Sequence, residues 1–370
     1  MLLYIVYVGL FGKRDVGIKK KILGQVESFS RNFKRVFYTV YSGQIMYLMS
    51  ENNVIEQEIA ITKKDCNRII LNWIDKYNIS KTYIRYDYAD KWFIQFLKKQ
   101  KEKGVVSVLE FPTIPYDNEL SNKRLISEDK YYREKMSGYI NQCTTYSNYN
   151  EVFGIPCIPL LNGIDIDKNP MRTCREADGS IVLLAVASME KWHGYERVIE
   201  GMAEYYKGNG ERNILFKLVG EGPETDKYKN MVKNYGLGQH VEFCGKLEGK
   251  ELDRQYDEAD IAVGVLGAYK KNVTFQGAPI KTSEYCSRGI PFIYGYHDTG
   301  LEGNEYYALD VPNDEKGIDI NEVIKFYGSI NSFQTCAEEM HSSAVKRYTW
   351  DVILEPVVSF FDKQDCLCNL

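Results

Sequence analysis

The sequence predicts an α/β protein of two domains, each built on a parallel sheet with helices on both faces. Short apolar runs alternate with longer amphipathic stretches along nearly the whole chain, which is the pattern of repeated β–α units. The chain has 370 residues, more than a single hydrophobic core usually holds. A polar stretch at residues 167–179 separates the halves. We place the first domain at residues 1–165 and the second at residues 166–347.

The composition is that of a globular protein without a membrane span or a metal centre. Hydrophobic residues make up 44% of the chain and charged residues 26%, which are ordinary proportions. No run reaches the roughly 18 apolar residues that a membrane helix needs. The nine cysteines include no CxxC pair and the four histidines no HExxH motif, so neither a metal nor a bound cofactor is expected. An odd cysteine count without a signal sequence predicts reduced thiols and a cytoplasmic location.

Charge is distributed unevenly between the halves. Residues 1–165 hold 24 Lys and Arg against 18 Asp and Glu, a net charge of +6, whereas the remainder holds 23 against 33, a net charge of −10. A basic first half fits an anionic partner such as a membrane surface or a phospholipid-linked acceptor, and it equally fits an ordinary solvated surface. Because the chain has no Arg-rich run and no RNA-binding signature, no nucleic-acid partner is expected.

The first half alternates strands and helices. Its predicted strands lie at residues 2–8, 36–40, 81–86, 105–109, 140–144 and 157–161, and its helices at 18–33, 63–77, 90–101 and 121–137. Residues 41–61 alternate in polarity and predict a hairpin. The turn after the first strand carries Lys13, where a ligand meets the sheet in many α/β proteins, although a plain tight turn also explains it.

An acidic loop is predicted directly after the strand at residues 105–109. The segment EFPTIPYDNEL contains Pro112 and Pro115, which exclude a regular helix. Glu110, Asp117 and Glu119 are therefore expected on a loop at the carboxyl end of a strand, where open α/β sheets bind ligands. The alternative is a rigid proline loop whose acids only cap backbone groups.

The second half continues the alternation. Its predicted strands lie at residues 180–187, 214–219, 241–244, 261–265 and 290–294, and its helices at 195–206, 225–235, 252–259, 280–288, 337–346 and 350–361. The helix that follows Pro279 carries Lys281 and Glu284 on one face near its N-terminus. Free N–H groups and a lysine there suit an anion, and Glu284 can accept two hydroxyl hydrogen bonds, as from a ribose. The alternative is a surface helix with a Lys–Glu pair.

Two further segments follow strands of the second half. Lys191 and His193 precede the helix at residues 195–206 and predict a second anion site, with a purely structural His193 as the alternative. Gly220 and Gly222 in the sequence GEGPE let the backbone approach a ligand closely.

These segments together resemble family-four retaining glycosyltransferases of the GT-B fold, of the type found in bacterial capsular and exopolysaccharide biosynthesis. QGAPIKTSEYCSRGIPFIY at residues 276–294 resembles the nucleotide-sugar signature PxKxxEYxxxGxP, and residues 109–119 resemble the element EPTYPYDxE. Gln276 stands where the family has its first glutamate, and Ser188 stands where it has an arginine. His193 occupies the family's lysine position, and Lys191 lies two residues before it.

The resemblance implies two Rossmann-like domains facing a cleft, with a final helix at residues 348–370 crossing back to the first domain. It also implies transfer of a hexosyl group from a nucleotide-diphosphate sugar to an acceptor hydroxyl with retention, without a metal or cofactor. The implied catalytic residues are Glu110, Asp117 and Gln276, with a carboxylate taking the proton of the attacking hydroxyl. The implied donor-binding residues are Lys191, His193, Gly220, Gly222, Lys246, Gly277, Pro279, Ile280, Lys281 and Glu284, and the implied acceptor-binding residues are Arg85 and Lys13.

The expected partners are a nucleotide-diphosphate sugar and a lipid-linked or oligosaccharide acceptor, in the cytoplasm or at the inner face of the cell membrane. Two alternatives remain. One is a non-catalytic partner subunit of a glycosyltransferase, which the departures at Gln276 and Ser188 keep open. The other is a GT-B-like nucleotide-sugar epimerase or hydrolase.

Overall fold

The chain forms two compact units in the computed structural model, which describes residues 1–11, 16–114, 116, 122–176, 178–270, 276–277 and 279–368. The first unit comprises Met1–Gly163 together with Trp350–Leu370, and the second comprises Ile164–Thr349. The end of the chain thus belongs to the same unit as its beginning.

The first unit is built on one mixed sheet. In the described residues its strands are β1 (Leu2–Ile5), β2 (Val36–Ser42), β3 (Ile45–Ser50), β4 (Asn53–Ile59), β5 (Lys81–Arg85), β6 (Val106–Phe111), β7 (Gln142–Thr145), β8 (Glu151–Val152) and β9 (Ile155–Pro159). Their order is β4-β3-β2-β1-β5-β6-β7-β9-β8, parallel from β2 to β9. The predicted hairpin at residues 41–61 is confirmed, since β3 and β4 pair antiparallel at one edge.

The second unit is built on a parallel sheet. In the described residues its strands are β10 (Ile181–Val186), β11 (Ile214–Val219), β12 (Val241–Gly245), β13 (Ile261–Val263), β14 (Gln276–Gly277), β15 (Phe292–Tyr294), β16 (His297–Asp298) and β17 (Ala308–Asp310). The main sheet has the order β12-β11-β10-β13-β15-β17, and β14 pairs separately with β16.

Helices cover these sheets. In chain order the described ones are α1 (Val16–Asn32), α2 (Lys63–Lys76), α3 (Lys91–Glu102), α4 (Lys123–Arg133), α5 (Glu196–Lys207), α6 (Thr225–Asn234), α7 (Lys250–Asp257), α8 (Ile280–Arg288), α9 (Ile320–Ser329), α10 (Phe333–Arg347) and α11 (Trp350–Cys368). Their starts follow local capping chemistry: the side chain of Thr62 accepts from the N–H of Asp65 before α2, and that of Asp90 accepts from Phe93 before α3. None of the described helices is both long and apolar enough to cross a lipid bilayer.

Two hydrophobic cores lie on the two faces of the first sheet. Along β1, Leu3 and Ile5 pack into the core that includes the buried residues of α2 and α3. Their neighbours Leu2 and Tyr4 face the other core, which includes residues of α1 and α11. This alternation is the two-residue period of a strand buried on both sides. It explains why the start of the chain reads as a continuous apolar run.

The parallel part of each main sheet, as described, reverses its strand order at one strand. In the first unit β1 lies between β2 and β5, and in the second unit β10 lies between β11 and β13. Open α/β sheets bind ligands beyond the carboxyl ends of the strands at such switch points. Within each unit, a ligand site is therefore expected among the residues that follow these strands.

Candidate active site

Helix α8 is the centre of the candidate site in the second unit. Pro279 precedes it with a φ of −59°, and Gly289 ends it in the left-handed conformation with a φ of 71°. Before α8, Gln276 and Gly277 form β14 and pair in parallel with His297 and Asp298. The strand pair fixes the backbone that leads into α8.

Lys281 connects α8 to the switch point. Its Nζ donates a hydrogen bond to the carbonyl oxygen of Val186, the last residue of β10. Burial lowers the pKa of Lys281 to about 8, while the charge of Glu284 raises it. Lys281 is thus a cation near neutral pH, held at the carboxyl end of the central strand of its sheet.

Glu284 lies one turn further along α8 and is half-buried. Behind it is the fully buried Tyr256 of α7, whose pKa is raised well above its usual value by burial and then by the charge of Glu284. The guanidinium of Arg288 lies 4.1 Å from the centre of the Tyr256 ring and donates to Asp253 at 2.8 Å. These contacts hold the face of α8 that carries Glu284.

A buried hydrogen-bond network anchors the other side of α8. The carboxylate of Asp298 accepts from the hydroxyl of Thr282, from the hydroxyl of Tyr296 at 2.7 Å and from the N–H of Gly300 at 2.8 Å. Sequence analysis missed this network. A signal existed in the polar residues that follow the apolar strand at 290–294, but nothing in their spacing pairs them with α8.

The segment after β10 contributes Lys191 and His193, which lie in a 3-10 turn before α5. His193 is buried, and its Nδ1 accepts from the N–H of Glu190 at 3.0 Å. Its ring stacks on Tyr195 with the centroids 5.5 Å apart. Lys191 is exposed. This geometry favours a structural role for His193. Lys191 is then the cationic side chain of this segment that can reach a ligand.

Gly220 and Gly222 allow close backbone approach, and the close neighbour in the structure is another loop of the protein. A Cβ atom at Gly220 would lie 1.9 Å from the carbonyl oxygen of Ala187, and one at Gly222 would lie 1.7 Å from that of Ser188. The N–H of Glu224 also donates to the carbonyl of Met189 at 3.0 Å. The loop after β11 therefore braces the loop after β10.

Substituting Gly222 with Ala should lower the free energy of unfolding by about 1–3 kcal/mol, because the added methyl group forces the two loops apart. Chemical denaturation measures the change. Gly238→Ala is the matched control, since a Cβ there meets no atom within 4 Å. Equal stabilities of the two variants would contradict the bracing contact.

Lys246 follows β12, and its side chain is 74% exposed, with Nζ 4.0 Å from a carboxylate oxygen of Glu221. It therefore lies at the carboxyl edge of the second sheet.

In the first unit, Glu110 is not on a loop as predicted. It lies inside β6, and its side chain has no exposed surface. One carboxylate oxygen accepts from Arg85 at 2.9 Å and from the hydroxyl of Tyr146 at 2.7 Å, and the other accepts from Tyr4 at 2.9 Å. Although burial raises it, the net pKa of Glu110 is lowered by Arg85, Lys21 and these hydroxyl groups. Such surroundings favour a charge-holding role over proton transfer.

Arg85 is the last residue of β5, beside the switch point, and the structure pairs it with Glu110. Lys21, which sequence analysis missed, reaches the same carboxylate from α1 with its Nζ 3.8 Å away. The signal was its spacing: Lys21 and Gln25 lie four residues apart on a buried polar face of α1. The predicted residues Lys13 and Asp117 lie outside the described residues.

The comparisons with known proteins agree with this architecture. A glycosyltransferase from Rickettsia africae ESF-5 shares 12% identity at a TM-score of 0.68, covering 98% of both chains. Anabaena HepE in complex with UDP shares 12% at a TM-score of 0.68, covering 98% of this chain and 99% of that one. WaaG, a glycosyltransferase involved in lipopolysaccharide biosynthesis, shares 13% at a TM-score of 0.62, covering 97% and 99%. At these identities the likeness shows the fold alone, which confirms the predicted α/β GT-B class.

The match to a sequence family covers a smaller part of the chain than the structural matches do. Residues 170–302 match the family model described as "Glycosyl transferases group 1". This segment contains β10, β11, β12, β13 and α8 with Lys281 and Glu284. No curated protein matches the sequence. The domain match and the fold together support a GT-B glycosyltransferase.

Proposed function

We propose that this protein is a retaining glycosyltransferase that moves a hexosyl group from a nucleotide-diphosphate sugar to an acceptor hydroxyl during surface polysaccharide assembly. The observation that carries the proposal is the position of Lys281 and Glu284. Both project from the first turns of α8, and Lys281 reaches the end of β10 at the switch point of the second sheet. The glycosyl transferases group 1 match includes both residues.

In this proposal the donor diphosphate binds at the N-terminus of α8, where Pro279, Ile280 and the backbone of Gly277 meet it. Lys281 and Lys191 stabilise the negative charge that develops on the leaving diphosphate, a role that a metal ion fills in other enzymes. Glu284 accepts the ribose hydroxyls. The loops that carry Gly220, Gly222 and Lys246 then form the wall toward the nucleotide base, with Gly220 and Gly222 acting by bracing their neighbours.

The reaction breaks the bond between the anomeric carbon and the diphosphate oxygen and forms a bond from that carbon to the acceptor oxygen on the same face. Gln276, which carries no charge, hydrogen-bonds a hydroxyl of the donor sugar. The proton of the acceptor hydroxyl goes to Asp117, since Glu110 is fully enclosed by its own partners. The nucleoside diphosphate leaves with the electron pair of the broken bond.

The donor site is tested by calorimetric titration of the protein with a panel of nucleoside diphosphates and nucleotide sugars. One base should bind with micromolar affinity, and Glu284→Ala should abolish that binding because the ribose hydroxyls lose their acceptor. Glu338→Ala, at an exposed position on α10, is the matched control. Absence of binding by every member of the panel would refute the donor site.

A second candidate is a non-catalytic partner subunit, which the Gln276 and Ser188 departures favour. The two functions differ in turnover. A transferase releases nucleoside diphosphate from the bound sugar donor when an acceptor is supplied, whereas a partner subunit leaves the donor intact. The acceptor of the proposed transferase is a lipid-linked or free oligosaccharide, and contact of the basic first half with an anionic membrane is part of the same proposal.

A further inference from the structure

A second cluster of charged residues lies at the switch point of the first sheet. Arg85 ends β5, Glu110 lies in the neighbouring β6, and Lys21 belongs to α1, the helix that follows β1. Tyr146 follows directly after β7, and its hydroxyl donates to Glu110. The cluster thus occupies the place where open α/β sheets bind their ligands.

Among the described residues, the charges in this cluster do not balance. In the described part of the chain one carboxylate, that of Glu110, lies within ion-pair distance of the two cations, 3.8 Å from Lys21 and 2.9 Å from Arg85. The other close contacts of Lys21 are neutral: Nζ donates to Asn162 at 2.9 Å and lies 3.1 Å from the centre of the Tyr146 ring. One positive charge is left over while both cationic side chains are only 11% exposed.

An excess charge with so little solvent is costly unless an anion joins it. Lys21 shows this cost in its pKa. Burial lowers the pKa of Lys21 to about 7, although the negative charge of Glu110 acts to raise it. An arriving anion would restore balance and hold Lys21 in its protonated form.

The donors that remain suit a tetrahedral oxyanion. In the described residues only Nη1 of Arg85 donates to Glu110, and no hydrogen bond uses its Nε or Nη2. A guanidinium edge beside an ammonium group binds two oxygens of one phosphate. Glu110 is itself fully enclosed, so that it orients Arg85 without meeting the ligand.

We propose that Lys21 and Arg85 form a binding site for a phosphate group of the acceptor substrate. The assignment of this phosphate to an acceptor rests on the proposed function, whereas phosphate binding by the first unit does not. The same chemistry is offered by a lipid-linked diphosphate and by a soluble sugar phosphate.

The site is tested first with inorganic pyrophosphate as the probe. Because the donor site also binds diphosphates, the titration is made in a Lys281→Met background. Pyrophosphate should still bind there, and adding Lys21→Met should weaken it at least about tenfold, as loss of a charge-assisted contact requires. Adding Lys20→Met instead, at an exposed position of the same helix, should change nothing. Equal affinities with and without Lys21 would overturn the proposal.

A measurement on the unmodified protein covers the case in which the variants fold poorly. Acetic anhydride at neutral pH acylates uncharged amines, and mass spectrometry follows Lys21 and Lys20 separately. Pyrophosphate should slow acylation of Lys21 at least about tenfold and leave Lys20 unchanged. An unaltered rate at Lys21 would equally overturn the proposal.

The source of the phosphate is separated by two probes, a short-chain prenyl diphosphate and glucose 1-phosphate. Binding of either that depends on Lys21 supports the site, and the tighter of the two names the source. Nucleotide-sugar binding should be the same in Lys21→Met as in the wild type. If no nucleoside diphosphate or nucleotide sugar binds while pyrophosphate still does, the proposed transferase is refuted and the phosphate site is not.

Discussion

Replacing Glu110 with Gln is expected to lower the free energy of unfolding by about 3–5 kcal/mol, among the largest effects of any single substitution in the first unit. The carboxylate is the shared counter-ion of Arg85 and Lys21, and its side chain has no exposed surface. A neutral amide of similar shape keeps the packing but leaves the two cations without their shared counter-ion. Urea denaturation of the wild type and the variant measures the difference.

The pH dependence identifies the cause. Because the folded-state pKa of Glu110 is lowered, its contribution is fully present above the ordinary carboxyl pKa and is lost as pH falls through the folded-state value. The gap between wild type and Glu110→Gln should therefore close in acid. Adding Lys21→Met to Glu110→Gln should recover part of the loss, since one buried cation is removed. A gap independent of pH would indicate packing instead of charge.

The alternating pattern predicted the sheets well because their strands are buried on both faces. The run at residues 181–186 is apolar throughout, the run at 214–219 is interrupted only by Lys217, and both are strands of the parallel sheet. Short pairings such as β14 with β16 carried no pattern, because two residues are too few to show a period. The last helices were located only roughly: α10 begins at Phe333, after the Ser332 cap, four residues before the predicted start.

The candidate site was predictable where its functional residues lie in one segment of the sequence. It was not predictable where those residues come from distant segments. Lys281 and Glu284 follow from spacing within one helix. Glu110 was placed on a loop because a charge after an apolar run reads as the end of a strand. Its partners Arg85 and Lys21 are 25 and 89 residues away in the sequence, and only the fold brings their charges together. The close neighbours of Gly220 and Gly222 likewise lie on another loop, which their own spacing in the sequence does not indicate.

The second large effect is expected in catalysis, at Lys281. Lys281→Met keeps the aliphatic stem and removes the charge, so kcat for sugar transfer should fall by about 100- to 1,000-fold, as loss of one electrostatic contact to the leaving group does. The substitution also removes the donor to the carbonyl of Val186. Thermal unfolding of the same variant is therefore measured alongside, and transfer is assayed well below its Tm.

The pH profile distinguishes the lost charge from a disturbed fold. In the proposed reaction Lys281 acts as a cation, and its pKa of about 8 means that the free protein loses this charge as pH rises through that value. In the wild type kcat/KM should accordingly fall above about pH 8, and Lys281→Met should lack this descending limb because no proton is left to lose. A variant that retains the limb would assign the titration to another group, and a variant with unchanged kcat would remove Lys281 from the transition state. Burial at the end of β10 gives this lysine both its depressed pKa and its fixed place, so the same contact sets where the charge lies and the pH range in which it acts.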